Sequence, residues 1–233
     1  MKLQWKGIFF YGLTICMVLL TVKLGNQAMT VMVENKPVER KYCIVIDPGH
    51  GGEDGGAVSI SNFPESGYNL DIAMRLQSLM QLLGYDTKMI RTNDISVYTE
   101  GKTLAQKKIS DLKERVRIVA ETKGAVLLSI HQNHFPDPIY QGAQVFYADS
   151  TASELLAKQI QSLLVTSVNP GSRRQIKKSS GVYLMEHVNC PAVLIECGFL
   201  SNPQEESRLR DPIYQKKLSV VIASAVSQFL SNT

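Results

Sequence analysis

The chain has 233 residues, of which 44% are hydrophobic and 20% are charged, and its net charge is +4. This composition is typical of one globular domain with a full core, and it excludes a disordered or low-complexity chain. The positive charge is compatible with anionic surroundings such as cell-wall polymers or lipid headgroups. It is too small to indicate a nucleic-acid-binding protein, and the sequence contains no nucleic-acid recognition motif.

An apolar segment lies close to the N-terminus. Residues 7–22 carry no charge, and lysines flank them on both sides. As an α-helix this segment would rise about 24 Å, slightly less than a bilayer span needs. We therefore predict a signal anchor over residues 1–23, with a cleaved signal peptide as the alternative. Either one exports the domain, to the extracytoplasmic face of the membrane when the anchor is retained or to the cell wall when it is cleaved.

Residues 24–40 are polar and aperiodic, which predicts a linker before one domain over residues 41–233. In that domain, short apolar runs alternate with amphipathic segments. The predicted strands are 42–46, 85–91, 125–130, 143–147, 182–185 and 192–195, and the predicted helices are 70–83, 112–122, 152–168 and 212–230. The polar residues 92–111 are predicted to be a surface excursion, and Asn202 is typical of a helix start. This alternation predicts an α/β fold whose sheet is at least partly parallel and covered by helices on both faces.

The four cysteines do not have the spacing of a disulfide framework, and no CxxC motif occurs. They are Cys16, Cys43, Cys190 and Cys197. We predict that they are buried, unreactive thiols.

Four acid or imidazole side chains follow or precede the predicted elements. His50 and His131 come at the ends of two strands, Glu196 ends a later strand, and Glu65 precedes the first helix. In open α/β sheets, ligand sites gather outside the carboxyl ends of strands. Two imidazoles and a carboxylate form a common catalytic zinc set, and a second carboxylate can accept a proton from the zinc-bound water. Asp54 is close enough in sequence to orient His50. The ordinary interpretation, polar side chains at strand ends, stays open on these residue types alone.

Three segments resemble, in the same order, the motifs of the zinc-dependent N-acetylmuramoyl-L-alanine amidases, the Amidase_3 family. They are residues 44–57 (IVIDPGHGGEDGGA), 129–131 (SIH) and 191–202 (PAVLIECGFLSN). The resemblance covers roughly residues 41–233 and implies a single α/β domain with a twisted, mixed, mostly parallel sheet. It implies zinc bound by His50, Glu65 and His131, with Glu196 as the catalytic carboxylate. The implied substrate is bacterial peptidoglycan, cleaved at the amide bond between N-acetylmuramic acid and L-alanine.

The chain departs from the family pattern at two positions. A serine follows Glu65 where the family usually has a basic residue, so that Glu53 stays an alternative ligand. A glutamine follows His131 where many relatives have alanine. His134 is a further candidate ligand, although substrate contact or simple exposure is the preferred interpretation. His187 is predicted to be a surface residue after a strand.

Alternatives also remain open for the function. Residues 112–119, 172–185 and 214–230 most resemble the germination-specific, spore-cortex amidases, and a vegetative cell-wall amidase is the other interpretation. A zinc peptidase acting within the stem peptide could use the same metal ligands. A catalytically silent, membrane-anchored wall-binding module is the non-enzyme alternative. The sequence does not show whether a protein activator is needed.

A basic cluster falls in a predicted loop. Its members are Arg173, Arg174, Lys177 and Lys178. Most charge runs are solvated faces, and that is the ordinary interpretation. Contact with stem-peptide carboxylates or wall anions is the sharper alternative.

Overall fold

A six-stranded sheet forms the centre of the fold. The computed structural model describes residues 15–23 and 41–232. The strands are β1 (Cys43–Pro48), β2 (Asp86–Met89), β3 (Ala125–Asn133), β4 (Gln144–Tyr147), β5 (Lys177–Lys178) and β6 (Ala192–Phe199). Their order is β2-β1-β3-β6-β4-β5, and every neighbouring pair is parallel except β4 and β6. The prediction of a mixed, mostly parallel sheet is confirmed.

Helices cover both faces of this sheet. In chain order these helices follow α1 (residues 15–23), which belongs to a separate unit of the chain. The others are α2 (Glu65–Leu82), α3 (Leu104–Ala120), α4 (Thr151–Ser167), α5 (Tyr183–His187), α6 (Pro203–Arg210) and α7 (Pro212–Ser231). Residues of α2, α4 and α7 build one hydrophobic core, and residues of α3 and α5 build the core on the opposite face. The single α/β domain is therefore as predicted.

The central strands are apolar on both faces, which is why they appear in the sequence as continuous apolar runs. In β1, Ile44 and Ile46 enter one core while Val45 enters the other, as the two-residue period of a strand requires. β1 pairs in parallel with β3, and β3 pairs with β6 so that His131 lies opposite Glu196. The carboxyl ends of these three strands consequently meet at one edge of the sheet.

The predicted surface excursion over residues 92–111 is wrong in its second half, because α3 begins at Leu104. Thr103 caps this helix in a capping box: its side chain accepts from the backbone N–H of Gln106, and the Gln106 side chain accepts from the backbone N–H of Thr103. The first turns of α3 are mostly exposed and rich in lysine. They therefore lack the apolar period that would have indicated a helix.

The predicted strand over residues 182–185 is also wrong, because Tyr183–His187 form the short helix α5. Leu184 and Met185 are buried in the second core, and a short apolar run does not distinguish a buried strand from a buried helical turn. The predicted basic loop contains a strand instead: β5 extends the sheet by pairing with β4. His187 is exposed, as predicted, and its ring stacks on Tyr183.

The prediction of four buried thiols is correct for Cys197 alone. Cys43 and Cys190 are half-buried and Cys16 is exposed, and all four are free cysteines. Burial raises the pKa of Cys190 to about 11, which keeps that thiol protonated at neutral pH.

The predicted N-terminal anchor and linker fall largely outside the described residues. Of the apolar segment 7–22, residues 15–22 are described and are helical; the linker over residues 24–40 is not described. Among the residues that are described, no helix combines the length and the hydropathy that a membrane span needs.

Candidate metal centre

Three side chains converge at the carboxyl edge of the sheet. His50 follows β1, Glu65 is the first residue of α2, and His131 lies in β3. The atoms that they offer as ligands all lie within 4.8 Å of one another. His50 Nε2 is 3.3 Å from Glu65 Oε2, and His131 Nδ1 is 2.9 Å from Glu65 Oε1. Two imidazoles and one carboxylate in this arrangement can hold one metal ion, and this is a donor set that zinc accepts.

The Glu65 carboxylate is buried and surrounded by hydrogen-bond donors. Its Oε1 accepts from Asn69 Nδ2 at 3.1 Å and from the backbone N–H of Gln132 at 3.0 Å, and its Oε2 accepts from the backbone N–H of Ala57 at 3.1 Å. Burial raises the pKa of Glu65, but its hydrogen bonds to the two histidines outweigh burial and hold the pKa well below its usual range. Glu65 is therefore ionised at neutral pH, as a cation ligand must be.

The backbone and the ring of His50 are both held in place. Its φ is +60°, an uncommon value for a residue other than glycine. Arg115 Nη2 donates to the His50 carbonyl at 2.7 Å. The ring Nδ1 lies 3.0 Å from Asp54 Oδ2, and Lys108 Nζ lies 3.2 Å from the same oxygen. The predicted contact between Asp54 and His50 is thus confirmed, and it leaves Nε2 facing Glu65.

The turn between β1 and α2 approaches the ligand side chains so closely that glycine is required at two positions. A Cβ on Gly49 would lie 2.1 Å from His131 Nε2. A Cβ on Gly56 would lie 2.6 Å from Glu65 Oε2, and the φ of Gly56 is +71°. The backbone at these glycines packs directly against the His131 imidazole and the Glu65 carboxylate, and so limits the positions that these side chains can take.

Glu196 lies beside this group but is not a member of it. It is opposite His131 in the ladder between β3 and β6, and directly paired residues project to the same face of a sheet. Within the described residues, its Oε2 is buried and has no hydrogen-bond partner. Burial is the main cause that raises the pKa of Glu196 to about 7; the charge of Glu65 adds to it and the two histidines oppose it. A carboxyl group with such a pKa can both take and give a proton near neutrality.

A buried ion pair that the sequence reasoning missed supports the turn carrying His50. Arg115 Nη1 donates to Asp47 Oδ1, and Arg115 Nε donates to Asp111 Oδ2 at 2.6 Å. Ser129 Oγ donates to Asp47 Oδ2 at 2.6 Å. Burial raises the pKa of Asp47, but Arg115 and Ser129 outweigh it and hold the pKa below its ordinary value. β1, β3 and α3 are therefore tied together directly beneath the metal centre.

Of the two buried arginines near the site, the sequence pattern indicated only one. Arg115 shares a helical stripe with Leu112 and Val119, so it places a charge on the face predicted to be apolar. Arg91 is also buried, and it donates to the carbonyls of Gly49 and Ser66, each at 2.9 Å. These bonds join the His50 turn to the start of α2. Backbone carbonyls have no sequence signature, so nothing in the sequence indicated this contact.

The alternative ligands lie away from the centre. Glu53 is half-exposed and forms an ion pair with Lys107 at 2.8 Å. His134 is exposed and is not part of the three-residue group found among the described residues. The structure therefore brings Glu65, and not Glu53, between the two histidines.

Comparison with known proteins places these observations in a family. Residues 44–228 match the family described as N-acetylmuramoyl-L-alanine amidase (Amidase_3). The chain is 34% identical over 232 residues to the germination-specific N-acetylmuramoyl-L-alanine amidase of Bacillus subtilis, an alignment that covers 99% of this chain and 96% of that one.

Among the solved structures that share the fold, two match at more than 30% sequence identity. The CwlD amidase from Clostridioides difficile, in complex with the GerS lipoprotein, matches with a TM-score of 0.80 and 37% identity, covering 82% of this chain and all of that one. An N-acetylmuramoyl-L-alanine amidase from Clostridium difficile 630 matches with a TM-score of 0.71 and 31% identity, covering 82% of this chain and 98% of that one. The chain belongs to the N-acetylmuramoyl-L-alanine amidase family, as its three motifs predicted.

Proposed function

We propose that the chain hydrolyses the amide bond between N-acetylmuramic acid and L-alanine in peptidoglycan, with zinc bound by His50, Glu65 and His131. The observation that carries this proposal is the convergence of the three side chains beside a fourth, Glu196, in a member of the amidase family. A closed structural zinc site would use four protein ligands, whereas three ligands leave a position for water and substrate.

The proposed roles follow from the positions of the side chains. Bound zinc supplies Lewis acidity, which lowers the pKa of water to about 7 and polarises a carbonyl group. Glu196 accepts a proton from the attacking water while the water oxygen bonds to the lactyl carbonyl carbon of muramic acid. Glu196 then gives the proton to the nitrogen of L-alanine as the C–N bond breaks. The free carboxylate stays on the glycan, and the peptide leaves with a new amino end.

The biological setting is proposed from the relatives. One relative is named as germination-specific, so we propose spore-cortex peptidoglycan as the substrate. A solved relative is in complex with a lipoprotein, and we propose that this chain also works with a protein partner. Because peptidoglycan lies outside the cytoplasmic membrane, the chain acts on the extracytoplasmic side, attached through residues 1–23.

The product of peptidoglycan digestion tests the reaction. The expected products are peptides with a free L-alanine amino end and glycan strands with free lactyl carboxylates. A zinc peptidase acting within the stem would leave L-alanine attached to muramic acid and create amino ends farther along the peptide. A silent wall-binding module would release neither product. Either of these results contradicts the proposal.

The ligand set has its own test in a matched pair of variants. Glu65→Ala is expected to weaken zinc binding by at least about 100-fold, since changes even outside the ligand shell cost 10- to 100-fold. Glu53→Ala serves as the control, because Glu53 is half-exposed and paired with Lys107. Zinc content and amidase activity are measured on both proteins. If Glu65→Ala keeps stoichiometric zinc and full activity, Glu65 is not a ligand.

A further inference from the structure

A groove with a volume of about 1000 Å³ opens on the side of β4. It lies between the loop before β4, the segment after α4, the end of α6 and the start of α7. Its basic and aromatic lining residues are Arg173, Arg174, Arg208, Lys217, Tyr140 and Tyr214. The volume is at the upper end of the range for sites that bind small molecules. The lining chemistry predicts a ligand with negative charge.

Among the described residues, three positive charges of this basic groove have no ion-pair partner. Arg173, Arg208 and Lys217 are exposed, and within the described part of the chain none of them forms an ion pair. By contrast, Lys178 outside the groove pairs with Asp149 at 2.6 Å. Cations that share a groove repel one another, and an anionic ligand relieves that repulsion.

The carboxylates close to the groove accept hydrogen bonds from backbone N–H groups. Asp211 lines the groove, and its Oδ1 accepts from the backbone N–H of Ile213 at 2.8 Å, where α7 begins. Glu205 is buried, and its oxygens accept from the backbone N–H groups of Gly142 and Phe199, each at 2.9 Å. These two carboxylates stabilise the walls of the groove. The charges of Arg174 and Arg208 act on Glu205 from a distance, but neither arginine forms an ion pair with it within the described part of the chain.

Arg174 connects the groove to the catalytic edge of the sheet. Its Nη1 donates to Gln144 Oε1 at 2.9 Å, and Gln144 lies opposite Glu196 in the antiparallel ladder between β4 and β6. Its guanidinium also lies 4.5 Å from the centre of the Phe199 ring, at the end of β6. Neighbouring strands are about 5 Å apart. The groove therefore begins close to the carboxyl group that we propose as the proton carrier.

We propose that the basic groove binds the carboxylate-bearing part of the stem peptide whose L-alanine bond is cleaved; this inference rests on the proposed function. The stem carries the α-carboxylate of γ-linked D-glutamate and further carboxylates beyond it. A peptide of three to five residues reaches about 10–18 Å from the scissile amide when it is extended. Guanidinium groups form paired hydrogen bonds with carboxylates, and lysine adds a point charge. The groove thus fixes the peptide side of the substrate.

The double variant Arg208→Gln/Lys217→Gln removes two of the unpaired charges from the groove. Lys216→Gln is the matched control, because Lys216 is an exposed neighbour on α7 that does not line the groove. The full chain is assayed on a soluble muramoyl peptide with free carboxylates and on the same peptide with its carboxylates amidated. We expect KM for the first substrate to rise about tenfold and to depend less on the salt concentration. The kcat, the zinc content and the KM for the amidated substrate should not change.

A binding measurement separates this inference from the proposed reaction. The free peptide L-Ala-γ-D-Glu-diaminopimelate-D-Ala is titrated into the zinc-loaded wild-type chain, the double variant and the control by calorimetry. If the double variant binds the peptide more weakly than wild type, the result supports the groove as the peptide-binding site, even if the chain cleaves no amide. The inference is overturned if the double variant binds the peptide as tightly as wild type, or if KM rises equally for the amidated substrate.

Discussion

One methyl group at Gly49 tests whether the position of His131 controls metal binding. A Cβ there would lie 2.1 Å from His131 Nε2, whereas unbonded heavy atoms prefer about 3.5 Å. The backbone has little freedom to move away, because the Gly49 N–H donates to the Ile130 carbonyl at 3.0 Å and the Gly49 carbonyl accepts from Arg91 at 2.9 Å. In Gly49→Ala the imidazole must therefore shift by about 1 Å or more.

We expect Gly49→Ala to weaken zinc binding more than it lowers the stability of the fold. Overpacking a well-packed site costs about 1–3 kcal/mol, which a protein of this size tolerates. A displaced ligand nitrogen should weaken zinc binding by about 100-fold, at the upper end of what changes around a metal site cost. Competition with a chromogenic chelator gives the zinc Kd, and urea unfolding of the metal-free protein gives the stability.

Gly67→Ala is the control for this experiment. Gly67 lies in the first turn of α2, where an added Cβ meets nothing within 4 Å. Its zinc Kd should equal that of wild type, and the helix should gain roughly 0.5–1 kcal/mol. If Gly49→Ala binds zinc within twofold of wild type, the contact between Gly49 and His131 does not position the ligand, and the reasoning fails.

Two further substitutions test the proton carrier and the scaffold. Glu196→Gln keeps the shape of the side chain and should lower kcat by about 10²–10⁴ while zinc stoichiometry, measured by metal analysis, stays unchanged; loss of zinc would make Glu196 a ligand. Asp47→Asn leaves Arg115 paired with Asp111 alone and should lower the free energy of unfolding at pH 7 by up to about 3–5 kcal/mol. Because the folded-state pKa of Asp47 is lowered, its stabilisation is fully present above about pH 4, the unfolded-state pKa, and is lost as the pH falls through the folded-state pKa. The difference between wild type and variant should therefore narrow on acidification, and a constant difference in denaturant titrations would contradict this assignment.

Local sequence signals predicted the parts of the fold that repeat a simple pattern. β1, β3 and β6 are buried on both faces, so their apolar runs were visible. His50 follows β1, and His131 and Glu196 lie in the carboxyl-terminal halves of β3 and β6, beyond the predicted ends of those strands. The motifs that surround them then indicated the family. The start of α3 was missed for the opposite reason: its first turns face solvent, and only the capping box marks where it begins.

The groove could not be predicted, because its charges come from distant parts of the chain. Arg173 follows α4, Arg208 lies in α6 and Lys217 in α7. Each one alone has the ordinary character of a surface cation. The predicted basic cluster joined Arg173 to Lys177 and Lys178 by sequence proximity, but the two lysines are in β5 and do not line the groove. Tertiary packing, and not sequence spacing, brings the cations together.

The two carboxylates of the site show how one side-chain type can serve two roles. Glu65 accepts hydrogen bonds from Asn69, Gln132 and Ala57 and lies against both histidines, so its pKa is held low and it stays an anion. Glu196 has a buried oxygen without a partner among the described residues, and its pKa is raised to about 7. Environments that push two pKa values apart assign the groups to different tasks. The low pKa suits a residue that holds a cation, and the raised pKa suits a residue that carries a proton. If the two residues exchanged surroundings, the ligand would be partly protonated at neutral pH and the base would be too weak to accept a proton.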